Sequence, residues 1–168
     1  MKKRILLIAM MSMTLLSYAQ EKKPQADNSK KVADVMGMIS GSEVVMDIDE
    51  ALYPISQGTS HFAEGEKAGI VSMIVPASFE KMKEDLEKQK SKQGVEILDR
   101  GVKEIGGREM LFLKQRIDRE GVPYLNQIFC ERNTEESTII ITSFCEESKE
   151  KIYEESVNKA VISARLKG

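Results

Sequence analysis

Residues 95–145 read VEILDRGVKEIGGREMLFLKQRIDREGVPYLNQIFCERNTEESTIIITSFC, and the reading of this stretch decides the fold. Four β-rich runs, Val95 to Ile105, Arg108 to Ile117, Pro123 to Glu131 and Ser137 to Cys145, are separated by three short connections. Gly106-Gly107 suits a primed two-residue turn, Arg119-Glu120-Gly121 a three-residue turn and Asn133 to Glu136 a four-residue loop. Strands joined this closely pair antiparallel, so the stretch is expected to form a meander. Gly101 marks the expected bulge.

A loop at Asn133 to Glu136 makes opposing positions of the last two strands add to 269. Phe129 then faces Ile140 and Leu125 faces Phe144 on one side of the sheet, with Ile128 against Ile141 on the other. A sheet that is apolar on both faces must be covered on both. Two segments have the pattern to do so. Ser78 is an N-cap for Phe79, Met82 and Leu86 at helical spacing, predicting a helix from Ser78 to Lys92 that stops at Gly94, with Glu and Lys on its solvated side. After the meander, Ile152, Ser156, Ala160 and Ala164 fall on one line with Val157 and Val161 beside it. Acids crowd the start of that segment and Arg165 and Lys167 sit at its end, predicting a helix over Glu147 to Leu166.

The upstream signals are shorter. Gly69 to Val75 reads as a strand halted by Pro76, and Glu43 to Ile48 alternates as a short strand. Pro54, Gly58 and Gly65 make Leu52 to Lys67 mostly loop. Val32, Val35, Met36 and Ile39 form one stripe of a short helix stopped at Gly41. The expected class is therefore α+β, an antiparallel β-sheet meander packed between helices in an α/β/α sandwich.

The 168 residues open with Lys2-Lys3-Arg4, an apolar run from Ile5 to Leu16, and the small residues Ser17 and Ala19 flanking Tyr18. This is the layout of a cleavable export signal over residues 1–19, with the cut between Ala19 and Gln20. Twelve positions are too few to span a bilayer, which takes about 20. No Cys lies near the cut, which disfavours a lipid anchor. Lys2, Lys3 and Arg4 depart with the signal and no acid does, leaving 149 residues with 22 basic against 27 acidic side chains. That acidic balance excludes a basic nucleic-acid footprint. Residues 20–30 (QEKKPQADNSK) have nothing to bury and are expected to be a disordered linker to a single domain over residues 31–168. No later segment is apolar for long enough to be an integral membrane span. The short basic start points to a bacterium, and the location expected is periplasmic or secreted.

The residues capable of chemistry are few. In the register above, Cys145 lies six residues beyond the partner of Cys130, ~20 Å along the strand, whereas a disulfide needs Cα atoms within ~7 Å. Two unpaired, buried thiols are expected. His61, the single histidine, sits in loop context as an exposed side chain, and no G-x-S-x-G elbow supplies a nucleophile for it. One His and two separated Cys fall short of a zinc ligand set. Asp47, Asp49 and Glu50, and likewise Asp118 with Glu120, lack the twelve-residue calcium-loop pattern and read as solvated acids. The absence of Trp removes the usual sugar platforms. Ser78-Phe79-Glu80-Lys81 matches S-x-x-K at a helix start, but neither S-D-N nor K-T-G occurs. Gly106-Gly107 joins strands and opens no helix, so it is not a phosphate cradle. Met36, Met38, Met46, Met73, Met82 and Met110 are scattered core fillers. No catalytic, cofactor-binding or metal-binding residue is assigned.

The run Ile74-Val75-Pro76-Ala77-Ser78-Phe79 into a charged helix, the Gly106-Gly107 hairpin, the meander and a last helix ending near Ser163-Ala164-Arg165 resemble the PsbP-like superfamily. This is the group that takes in PsbP, DcrB and a Ran-binding nuclear import factor. The likeness covers about Ala68 to Leu166. It implies an antiparallel sheet between helices and accessory or binding roles, and it carries over no functional residue. The function expected is an exported, non-enzymatic accessory or binding protein of the bacterial cell envelope, whose partner is an envelope protein or a small ligand. Two alternatives stand beside it. One is a small envelope serine hydrolase using Ser78 and Lys81, or His61 with carboxylates. The other is a self-associating structural protein whose uncovered edge strand pairs with another copy.

Overall fold

Alternating apolar residues become strands wherever a neighbouring strand can take their backbone groups. In the computed structural model, which describes residues 43–167, the elements in chain order are β1 (Val44–Val45), β2 (Ile55–Gln57), β3 (Ser60–Phe62), β4 (Ala68–Val75), α1 (Phe79–Lys88), β5 (Val95–Ile105), β6 (Arg108–Arg119), β7 (Val122–Arg132), β8 (Thr138–Glu146), α2 (Glu150–Ser163) and β9 (Arg165–Leu166). The signal over residues 1–19, the linker over residues 20–30 and the helix expected at Val32 to Ile39 lie outside the described residues. Seven strands form one antiparallel sheet in the order β2-β3-β4-β8-β7-β6-β5, and β1 pairs separately with β9. The class is α+β, as the sequence predicts. None of the described helices is long and apolar enough to cross a membrane.

Both faces of the sheet carry core. Ala68 and Ile70 of β4, Ile139, Ile141 and Cys145 of β8, Leu125 and Phe129 of β7, and Met110 and Phe112 of β6 share one face, where they pack with Val157, Ala160, Val161 and Ala164 of α2. Val44 and Tyr53 join the same cluster, so the stretch between β1 and β2 lies in it too. The opposite face holds Leu111, Leu113, Ile128, Cys130 and Ile140, all buried. There α1, with Phe79, Met82 and Leu86 buried, lies against β5 and β7. Each large side chain removed from water this way contributes ~1.5–3 kcal/mol. At the β3 end of that face the Phe62 and Phe144 rings stand 6.4 Å apart. Gly69 lies beneath them, and a Cβ there would come within 2.7 Å of both rings.

The register differs from the expectation by one residue. Leu125 faces Cys145, Phe129 faces Ile141 and Ile128 faces Thr142, so opposing positions add to 270. The cause is Ser137, which belongs to the turn. Its carbonyl accepts the N–H groups of Asn133 and Thr134, each at 3.1 Å, and its hydroxyl takes the Asn133 amide at 2.8 Å. Arg132 and Thr138 therefore close a five-residue loop. The two-faced character survives the shift because both strands are apolar at consecutive positions.

Other boundaries move for local reasons. The Leu52 to Lys67 segment is not mostly loop: β2 and β3 make a hairpin around Gly58-Thr59, with Gly58 at φ 61°, and widen the sheet to seven strands. Glu120 and Gly121 alone form the β6–β7 turn, both at positive φ, since Arg119 already pairs with Val122. The β5 bulge lies at Leu98, between Ile97 and Asp99, and Gly101 pairs in register with Phe112. The first helix ends at Lys88 because Gln89 turns extended, and the Arg100 guanidinium takes the Leu86 and Gln89 carbonyls at 3.3 and 2.6 Å. The last helix begins at Glu150 and ends at Ser163, after which Arg165 and Leu166 pair with Val45 and Val44, all that forms of the Glu43 to Ile48 strand.

Arg108 joins the sheet to the end of α2. It donates to both Glu131 carboxylate oxygens, at 2.9 and 2.7 Å, and to the carbonyls of Val161, Ile162 and Ala164 at 2.7, 2.8 and 3.0 Å. Those carbonyls lie at the C-terminal end of α2, where intrahelical donors run out, and that of Val161 also accepts the Ala164 N–H at 3.4 Å. Arg108→Ala is expected to lower unfolding free energy by about 2 kcal/mol in urea titration. Arg108→Lys should recover less than half of that loss, because one ammonium cannot reproduce the planar fork.

Candidate functional site

Ser78, Lys81, His61, the two cysteines and the acidic clusters all lie within the described residues, whereas Met36 and Met38 lie outside them. Ser78 precedes α1 in extended conformation and its hydroxyl accepts the Lys81 N–H at 3.2 Å, an N-cap. The Lys81 ammonium pairs with Asp85, one turn further along the helix. The S-x-x-K spacing thus serves helix initiation and a surface ion pair.

His61 is not in a loop and is not fully exposed. It lies half-buried on β3, opposite Ser56 of β2, and its Nδ1 is 2.9 Å from the Ser56 hydroxyl. Burial pushes its pKa down, and no carboxylate contributes to that shift. A serine beside a histidine is the start of a nucleophile and base, and sequence reading missed it because β2 and β3 are three residues each. Among the described residues no acid is placed against the ring to orient it.

The cysteines are unpaired and buried, on opposite faces of the sheet: Cys130 faces Ile140, and Cys145 faces Leu125. Burial raises the Cys130 thiol to about 12 and the Cys145 thiol to about 11. Both are neutral near pH 7 and poor nucleophiles. The acid clusters bind their own backbone. Asp49 Oδ1 accepts the N–H groups of Ala51 and Leu52 at 3.0 and 3.3 Å, and Asp118 Oδ1 accepts that of Gly121 at 3.0 Å. Among the described residues no group of three His, Cys, Asp or Glu is placed to hold a metal ion.

Long-range ion pairs, which spacing cannot reveal, organise the α2 side of β6. Arg116 donates from Nε and Nη2 to Glu147 at 3.0 and 2.6 Å, and from Nη1 to Glu96 at 2.7 Å. The guanidinium holds the Glu147 carboxyl below its usual range. Lys114 pairs with Glu150 at 2.5 Å. Beneath them, the crevice between α2 and the sheet, lined by Leu125, Ser143, Cys145, Tyr153 and Val157 among others, holds only about 10 Å³. That is no more than the space of one water. A larger depression of about 500 Å³ between the end of α1 and β5 is wide open and lined by Gln89, Lys90, Ser91, Ile97, Leu98, Asp99 and Arg100. Three buried hydroxyls, on Tyr53, Ser72 and Ser156, have no hydrogen-bond partner among the described residues.

No family model matches the chain, and no curated protein matches it either. Solved structures do. The crystal structure of LpqN, involved in cell envelope biogenesis of Mycobacterium tuberculosis, is similar at TM-score 0.53 and 10% identity, over 76% of this chain and 84% of that one. Protein PA94 from Pseudomonas aeruginosa, of unknown function, is similar at TM-score 0.45 and 16% identity, over 73% and 80%. Cyanobacterial PsbP from Synechocystis sp. PCC 6803 is similar at TM-score 0.44 and 13% identity, over 76% and 82%. The likeness is one of fold, and a PsbP is among the similar structures.

Two measurements probe these side chains. Because the folded pKa of His61 lies below its unfolded value near 6.5, its contribution to stability is complete above that value and is lost as pH falls below it. Urea midpoints should therefore drop less between pH 7.5 and 5 in His61→Gln than in the parent. Tyr53→Phe removes a buried hydroxyl that has no partner among the described residues, so its thermal midpoint should match or exceed the parent's, by up to ~1 kcal/mol of stability.

Proposed function

We propose that the chain is exported and serves outside the cytoplasm as an accessory or binding module with no chemistry of its own. The observation that carries this reading is the employment of Ser78 and Lys81: the hydroxyl caps α1 and the ammonium pairs with Asp85, leaving the one catalytic motif without a base at its serine. The filled space between sheet and α2 supports recognition through the surface over enclosure of a small molecule. The basic and apolar pattern of residues 1–19 supports export. The fold shared with LpqN, a protein described as involved in cell envelope biogenesis, supports a place in the envelope. The contact of Ser56 with His61 favours the hydrolase alternative and is tested alongside.

Expression of the full chain in a bacterium, followed by fractionation and intact mass, should place it outside the cytoplasm with Gln20 as its first residue. A cytoplasmic product retaining residues 1–19 would overturn export. The purified product should stay unlabelled by a fluorescent β-lactam and by a fluorophosphonate at pH 7.5. Labelling that disappears in Ser78→Ala or Ser56→Ala would make it an enzyme.

A further inference from the structure

The seven-stranded sheet has two edges of very different size. β2 spans three residues, whereas β5 spans eleven, and among the described residues no strand pairs with its outer side. An exposed edge of that length is a template for another strand, and proteins usually blunt it with a bulge, a proline or charged side chains. Here the bulge is confined to Leu98, and pairing with β6 runs unbroken from Asp99 to Ile105. The charges in that run are of both signs, and two of them, Arg100 and Glu104, stand two residues to either side of Val102. Arg100, Val102 and Glu104 share one face, opposite Leu113, Leu111 and Glu109 of β6, and Val102 is 43% exposed between the two charges. Arg100 is already held in place by the α1 carbonyls it caps.

We propose that β5 pairs with β5 of a second copy, antiparallel about a twofold axis at Val102. In that register Val102 meets its own counterpart. Arg100 of each copy faces Glu104 of the other, so one apolar pair is flanked by two opposite-charge pairs. Such cross-strand neighbours are the stabilising unit of an antiparallel ladder. Gly101 falls opposite Lys103, where the missing side chain leaves room for it. A single strand edge buries less than the 1,200–2,000 Å² of a typical stable interface, so the dimer is weak and forms with rising concentration. This pairing is independent of whether the protein has a catalytic function.

Sedimentation equilibrium of the mature chain over a wide concentration range should show reversible dimerisation. Glu104→Arg places like charges together twice and should raise the dissociation constant about tenfold, with the thermal midpoint unchanged. The axis itself is read by Val102→Cys: a pair facing its own counterpart has Cα atoms ~4.5–5.5 Å apart, within disulfide range, so mild oxidation should give a covalent dimer. Lys92→Cys, beyond the strand, should not. A parent that sediments as a monomer at every concentration overturns the proposal, as does cross-linking of Val102→Cys no faster than Lys92→Cys.

Discussion

The pairing of β7 with β8 places large apolar side chains on both faces of the same ribbon, and most of the architecture follows from covering them. Leu125, Phe129, Ile139 and Ile141 require α2 on one side, while Ile128, Cys130 and Ile140 require α1 on the other. A strand pair with one wet face would need only one helix. The helices in turn are terminated by the sheet: Arg100 of β5 takes the last carbonyls of α1, and Arg108 of β6 takes those of α2. Core and caps are thus one system, with two arginines at the ends of two helices joining what burial alone would let slide.

Short-range chemistry made much of this legible. Gly106 and Gly107 adopt φ of 59° and 77°, as a primed turn demands, and Ser78 caps the helix that its position announces. The remaining elements depend on partners distant in sequence. β2 and β3 are too short to show alternation, and they exist because β4 offers an edge to which Phe62 and Ser60 can pair. The one-residue register shift has the same origin. Nothing in Asn133 to Glu136 distinguishes a four-residue loop from a five-residue one until Asn133, Thr134 and Ser137 are seen to close on one another.

The chemistry was legible in a different way. Motifs could be discounted from missing companions, as with Ser78 and Lys81, and the structure supplies the other half by showing what those side chains do instead. Contacts such as Ser56 with His61, or Arg116 with Glu147 and Glu96, have no signature in spacing because they join separate strands or a strand to a helix start. Burial likewise came only in outline. The two thiols were expected inside, but their placement on opposite faces follows from the observed register.

The pairing of β1 with β9 sets how the domain meets tension. Glu43 and Lys167 sit side by side, joined by a 2.8 Å backbone hydrogen bond and by an ion pair at 2.9 Å. Pulling these two points apart loads the ladder one rung at a time, the opening of a zipper and not the shearing of all its rungs together. The two-stranded pair would part at low force, and the chain between residues 46 and 164, with its broad sheet, would be left folded as the mechanically resistant body.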